Sequence, residues 1–376
     1  MSAYEMRANF GSSHILTGNQ LRAALDDLLQ KFTVVAPVMA DNKLVYDEVK
    51  AVGDIVLDDG LPYKSPKEIV FPRVEAVMRF LENRVEEAQV IKPVLLVGAK
   101  PCDLAAMKVL DEVFTGEQGR YKDSFYSNRR DFLTIIGMNC REKKAGCFCE
   151  ERGINPAFSL DCDGFLTLQD DGAVYEPLTE KGTDLFSGTD LFSGTDEASI
   201  NSASHGDEPV QDGAKPDRHS VESEGPGMGP VPDGVKLEKM LVLEAIEGEV
   251  FNSMPWEKYA EGCIGCGTCT FICPTCHCFN LRDSEKNGIV TRTRVWDSCM
   301  YPKFTLHAGG HNPRTKKYER FRQRVLHKYL YIPENYGCTA CTGCGRCIRS
   351  CPGGLNIRNT VADIRSQLET KREVHV

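Results

Sequence analysis

The sequence predicts an α/β N-terminal domain followed by a C-terminal, bacterial-ferredoxin-like di-cluster domain of α+β type. Three observations carry that expectation. In the first half, two short apolar runs flank a helical stretch, the pattern of a strand–helix–strand crossover. In the second half, CxxCxxCxxxCP occurs twice. Between the halves lies a stretch almost free of large apolar residues.

Taken in order, residues 1–182 form the α/β domain. VIKPVLLVGAK (90–100) and FLTIIGMNC (132–140) read as buried strands, and LAAMKVLDEVF (104–114) between them as a helix. PRVEAVMRFLENRVEE (72–87) is predicted as a second helix, because its apolar residues recur three and four apart. Parallel neighbours present their carboxyl ends on one edge, where α/β folds place their sites. Cys102 follows the first strand, Cys140 ends the second, and Cys147 and Cys149 follow in CFC. Four thiols then converge, a candidate for a third cluster, with zinc or unligated thiols as alternatives. In an extended CFC, both thiols face one side and Phe148 the other. Cys162 stands apart and reads as structural.

Residues 183–234 break the pattern. GTDLFS repeats in tandem at 182–193, followed by a Ser-, Gly-, Pro- and Asp-rich stretch. Such a segment buries too little surface to offset chain entropy, so a disordered acidic insert is expected. KLEKMLVLEAI (236–246) resumes order within a return to the core at 235–254.

Residues 255–376 hold the strongest signal. The first run is Cys263, Cys266, Cys269, Cys273 and Pro274; the second is Cys341, Cys344, Cys347, Cys351 and Pro352. Two-residue gaps let three thiolates turn inward on one tight loop and hold three corners of a cubane. In two-cluster ferredoxins the fourth cysteine of each run ligates the other cluster. The expected ligand sets are therefore Cys263, Cys266, Cys269 and Cys351 for one 4Fe–4S cluster, and Cys341, Cys344, Cys347 and Cys273 for the other. Cys276, Cys278, Cys299 and Cys338 are surplus. They read either as buried thiols packed beside clusters or as four ligands of one more metal site. His277 reads as a hydrogen-bonding neighbour of sulfur. KKYERFRQRVLHKYL (316–330) reads as a helix with a solvated basic face, or as a docking face for an acidic partner.

Composition narrows the class. The chain has 376 residues, 17 cysteines and a net charge of −9. That charge gives no general attraction to nucleic acid or anionic lipid. No export signal and no spanning segment of roughly 18 apolar residues is visible, so a cytoplasmic location and no membrane insertion are expected. In a reducing compartment, clustered cysteines favour metal over disulfides.

PCDLAAM, RRDFLTIIGMNC with CFC, the double ferredoxin run, WDSCMY, GGHNPR and RQRVLHKY together resemble a known family. It comprises the beta subunit of cytosolic sulfhydrogenases and the corresponding iron–sulfur subunit of anaerobic sulfite reductase. The resemblance covers nearly all of the chain outside 183–234. It implies an electron-transfer subunit with 4Fe–4S clusters. Its partners would be a flavin subunit that takes electrons from NAD(P)H and a terminal hydrogenase or sulfur- or sulfite-reducing subunit.

The leading expectation is an electron wire with no catalytic residues of its own. No nucleophile–base pair, GxGxxG after a strand, or GxxxxGK[ST] loop is present. Two rivals remain. One is an enzyme that reduces a small sulfur or disulfide substrate at Cys102 and Cys140. The other is a zinc-stabilised interaction module.

Overall fold

The computed structural model describes residues 13–58, 60–88, 92–116, 121–186 and 247–374. KLEKMLVLEAI and residues 187–234 of the insert lie outside them. Among the described residues, no helix is long and apolar enough to cross a membrane.

The first half builds a seven-stranded sheet. In chain order its elements are β1 (His14–Thr17), α1 (Gly18–Lys31), β2 (Thr33–Ala40) and β3 (Lys43–Glu48). Next come β4 (Val74–Leu81), β5 (Arg84–Glu87), β6 (Val94–Ala99), α2 (Pro101–Thr115) and α3 (Ser124–Asp131). β7 (Leu133–Met138), β8 (Gly164–Gln169), β9 (Gly172–Pro177) and α4 (Glu180–Asp184) complete it. The strand order is β1-β9-β8-β7-β6-β2-β3. β2, β6, β7 and β8 are mutually parallel, and antiparallel strands close both edges.

Side-chain alternation explains the unbroken apolar runs of β6 and β7. Leu95, Val97 and Ile136 face α1, whose Leu21, Ala24, Leu25 and Leu28 form its buried stripe. Leu96 and Ile135 face α2, packing with Leu104, Met107 and Leu110. Thr17 and Gln20 make a reciprocal capping box that starts α1. Pro101 begins α2 at a position where the missing N–H costs nothing. The β6–α2–β7 crossover sets the carboxyl ends of both strands side by side.

The helix expected over 72–87 is instead the β4–β5 hairpin. Its apolar residues satisfy a period of two as well as one of 3.6. The deciding partner is far away in sequence. β10 (Phe279–Lys286) and β11 (Ile289–Trp296) form a hairpin in the second half, and β11 pairs with β4. The result is a four-stranded antiparallel sheet, β10-β11-β4-β5. Buried Glu75 on β4 accepts from Arg294 Nε and Nη2 on β11 at 3.0 and 2.5 Å.

The second half also contains α5 (Glu247–Ser253), α6 (Trp256–Tyr259) and α7 (Thr268–Phe271). After β11, α8 (Lys317–Leu326) continues through a π-helical turn at His327–Tyr331 into α9 (Ile332–Tyr336). α10 (Arg346–Arg349) and α11 (Ile357–Val374) follow. Trp256, Phe321, Val325, Leu330, Ile364 and Leu368 form their core, and Phe148 from the first half enters it. The two halves therefore interlock, through the shared sheet and through the CFC loop. At the start of the insert, Leu185 and Phe186 of the first GTDLFS copy are buried in the α/β core.

Candidate metal centre

Both cysteine runs fold the same way. Each three-cysteine loop turns through a glycine of positive φ into a single helical turn, Gly267 (77°) before α7 and Gly345 (69°) before α10. The fourth cysteine then leaves its turn toward the other loop. One cavity is lined by Cys263, Cys266, Cys269 and Cys351, with Cys347 also in its wall. A second is lined by Cys341, Cys344, Cys347 and Cys273. The fold thus brings together each crossed set of thiols expected from the sequence.

Cys102, Cys140, Cys147 and Cys149 also meet, around a third cavity. Cys102 lies in the first turn of α2, and Cys140 follows β7 on the same edge of the sheet. Phe148 turns away from this cavity into the core and lines the second. Its N–H donates to Gly343 O at 2.8 Å, which fixes the CFC loop against the second cysteine run.

The three cavities adjoin in a row. Cys344 lines both the third and the second. Arg324 and Cys347 line both the second and the first. Below the junction of the third and second, Arg346 and Asp103 form a buried bidentate pair at 2.6 and 2.8 Å. Asp103 is the neighbour of Cys102, and Arg346 lies between Cys344 and Cys347.

The chemistry of the lining fits iron–sulfur clusters. Burial pushes the Cys149 thiol up to about 11 and the Cys347 thiol up to about 12. Cys102, Cys269 and Cys344 are raised by the same cause. Buried thiolates need positive charge among them, which a metal core supplies. Donors also point at the cavities without a protein acceptor among the described residues. Arg324 Nη2 and Thr342 Oγ1 are buried and unpartnered, and both residues line the second cavity. Backbone N–H groups reach sulfur, Gly265 to Cys263 at 3.4 Å and Leu355 to Cys351 at 3.3 Å. Among the described residues, no three His, Cys, Asp or Glu side chains close on a single ion. The thiols stand around cavities instead.

α8 departs from the solvated face expected of KKYERFRQRVLHKYL. Arg320, Arg324 and Lys328 are all buried. They recur every four residues, beside the buried Phe321 and Val325, so their spacing already marked an inward face. Arg324 Nη1 reaches Cys276 Sγ at 3.4 Å, and Lys328 Nζ donates to Thr275 Oγ1 at 2.7 Å. Lys67, which no motif signalled, is buried too. Its ammonium donates to the carbonyls of Cys273 and Cys276 at 2.9 and 2.8 Å and sits 4.0 Å above the Trp296 ring.

The surplus cysteines divide. Cys276, Cys278 and Cys299 gather beside Cys273. Cys338 lies apart, against Val109, Ile332 and Ala340, so these four do not make one ligand set. His277 Nδ1 bonds with Thr275 O at 3.1 Å, and its ring packs on Phe114 and His327. Cys162 is buried in the α/β core, with its thiol directed to Ser159 O.

Residues 262–355 match the family described as 4Fe-4S dicluster domain. Over 338 residues the chain is 30% identical to sulfhydrogenase 2 subunit beta of Pyrococcus furiosus, covering 89% of this chain and 93% of that one. The chain belongs to the sulfhydrogenase beta-subunit family. No solved structure matches it. The match to the dicluster domain spans both cysteine runs of this family member and the β10–β11 hairpin between them. The alignment with the Pyrococcus protein is too long to be confined to that region, so the likeness extends into the α/β half.

Proposed function

We propose that this iron–sulfur subunit relays electrons through three 4Fe–4S clusters in series. One observation carries the proposal: the three thiol-lined cavities share walls, through Cys344 and through Cys347 with Arg324. The ligands would be Cys102, Cys140, Cys147 and Cys149 at one end, Cys341, Cys344, Cys347 and Cys273 in the middle, and Cys263, Cys266, Cys269 and Cys351 at the other. A bound 4Fe–4S cluster takes up and releases one electron at a time.

The protein supplies insulation, contact and charge. The middle set contains two buried thiols, Cys273 and Cys344. The first set includes the exposed Cys266, beside Ile264 at 69% exposure. In the third set, Cys140 and Cys147 are half-buried. Cys102 and Cys149 of that set are buried, as two thiols of the middle set are, so the first set is the end of the row that suits exchange with a partner best. Arg324 places a cation against both the first and second cavities, which favours the more negative, reduced state in each. The partners proposed are a flavin subunit using NAD(P)H and a terminal hydrogenase or sulfur- or sulfite-reducing subunit.

The test is iron and sulfide content after anaerobic reconstitution. About twelve irons per chain are expected, four for each cluster. Changing Cys102 and Cys140 together to Ser should remove about four of them and leave the ferredoxin-type EPR signals intact. Unchanged iron in that double variant would reduce the relay to two clusters.

One feature favours the enzyme reading. Lys100, Lys143 and Lys144 line the third cavity; Lys143 pairs with Glu150 and Lys144 with Glu142, so Lys100, whose ammonium donates to the carbonyls of Asp58 and Asn139, is the cation that an anionic sulfur substrate would meet. Turnover of polysulfide by the purified chain with dithionite, abolished in the same double variant, would establish that reading over the relay.

A further inference from the structure

We infer that Lys328 and Lys67 make the middle cluster more readily reduced than the first, so that an electron delivered at the exposed end of the row runs downhill into the chain. The inference rests on the reading of both cavities as 4Fe–4S sites. It gives one step of the relay a direction, and it gives two buried lysines work.

The two cavities differ in the charge of their walls. Among the described residues, Arg324 is the one charged side chain lining the first, and it lines the second as well. It therefore shifts both potentials the same way. Lys328 lines only the second. Its ammonium donates to Thr275 Oγ1 at 2.7 Å, two residues from Cys273, and more weakly to Ala340 O at 3.5 Å, beside Cys341. One lysine thus ties together the segments that carry two members of the middle set. It belongs to the π-helical turn at His327–Tyr331, a distortion that helices keep most often at functional sites.

Lys67 approaches the same loop from the α/β half. It donates to the carbonyls of Thr270, Cys273 and Cys276 at 3.4, 2.9 and 2.8 Å. Three acceptors take all three N–H groups of an ammonium, so the side chain is held as a cation. Both lysines are 3% exposed, and among the described residues neither pairs with a carboxylate. Arg346, between Cys344 and Cys347, adds no net charge, because Asp103 neutralises it.

Charge sets the order. Gaining an electron adds one negative charge to a cluster, and a cation that water does not screen stabilises that state. Burial alone works the other way, since a low dielectric disfavours the more highly charged state. The same dielectric magnifies the pull of both lysines, and two extra cations outweigh the loss of solvent around one cluster.

In the step itself the first cluster gives up one electron and the middle cluster gains it; no bond or proton changes hands. The electron reaches the first cluster from a reduced one-electron carrier of the iron–sulfur or flavin class, at the end where Cys266 and Ile264 are exposed.

The test is an EPR-monitored redox titration of the anaerobically reconstituted full chain, with iron measured in every sample. Of the two ferredoxin-type centres, the one of higher potential should become at least tenfold harder to reduce in Lys328→Met, about 59 mV for one electron. The one of lower potential should move less than threefold. Lys328→Arg, which restores the charge, should recover most of the shift. Thr275 keeps a partner in Lys328→Met, because its hydroxyl donates to Ala340 O at 2.6 Å. Should that variant lose iron, Lys328→Gln is read in the same way. With iron unchanged, a shift confined to the lower-potential centre, equal in both, or absent from both would overturn the inference. Fewer than about eight irons in the unaltered chain would instead fail the two-cluster reading beneath it.

Discussion

Replacing Asp103 by Asn tests how the third cavity is tied to the second. The Asp103 and Arg346 side chains are 0% and 1% exposed. The guanidinium spends Nη1 and Nη2 on the carboxylate at 2.6 and 2.8 Å and Nε on Pro62 O at 2.9 Å. Asn keeps the volume but leaves a buried cation facing a neutral amide, one end of which is itself a donor. Removing one partner of such a pair costs about 3–5 kcal/mol. The Tyr46 hydroxyl, which donates to Asp103 Oδ2, lies equally close to Gly98 O at 3.2 Å, so its loss adds little. At about 1.4 kcal/mol per tenfold, the unfolding rate should rise roughly a hundredfold or more, provided the pair is broken in the transition state. The assay is the loss of iron–sulfur absorbance in guanidinium with excess chelator, with iron content measured beforehand. Asp103→Leu with Arg346→Met should recover more than half of the loss, since apolar groups often replace buried pairs without penalty. What remains is the Pro62 carbonyl without its donor, at about 1–3 kcal/mol. A change of less than about fivefold in Asp103→Asn would refute this account, because no buried charge would then have been stranded.

Other outcomes follow from single positions. Arg324→Gln should lower the potentials of the first and second centres by on the order of 100 mV, whereas Arg324→Lys should keep most of the shift; EPR-monitored redox titration reads both. Gly343 has a φ of 64°, and a Cβ there would lie 2.6 Å from the Phe148 carbonyl. Gly343→Ala should therefore lose iron from the middle and third sites before the first, visible in the EPR signals that remain after reconstitution. Burial, with His277 alongside, pulls the His327 pKa down to about 3. Unfolded histidine titrates near 6.5, so the unfolded chain binds this proton first, and stability falls as pH drops from about 6.5 toward 3. His327→Phe should flatten that dependence in unfolding rates measured across the window.

The cysteine sets were legible because their signal is local. A run of CxxCxxCxxxCP needs only its own glycines to turn three thiols inward, and the crossed ligand sets proposed for Cys273 and Cys351 follow from having two runs. The third set needed one tertiary step, that consecutive parallel strands share an edge. The apolar runs at 94–99 and 133–138 already implied it. The hairpin at 74–87 was not legible, because its apolar spacing fits two periods and its partner, β11, arrives some two hundred residues later. The same distance hid Lys67, Asp103 and Arg346, whose worth depends on atoms from the other half. Sequence settles what a segment does with its own neighbours: where a loop tightens, which residue types are soft ligands, where a strand runs apolar. Only the tertiary structure decided that the cavities share walls and that a basic helix turns its cations inward. Charge and contact between distant segments depend on burial, and burial exists only once the chain has closed on itself.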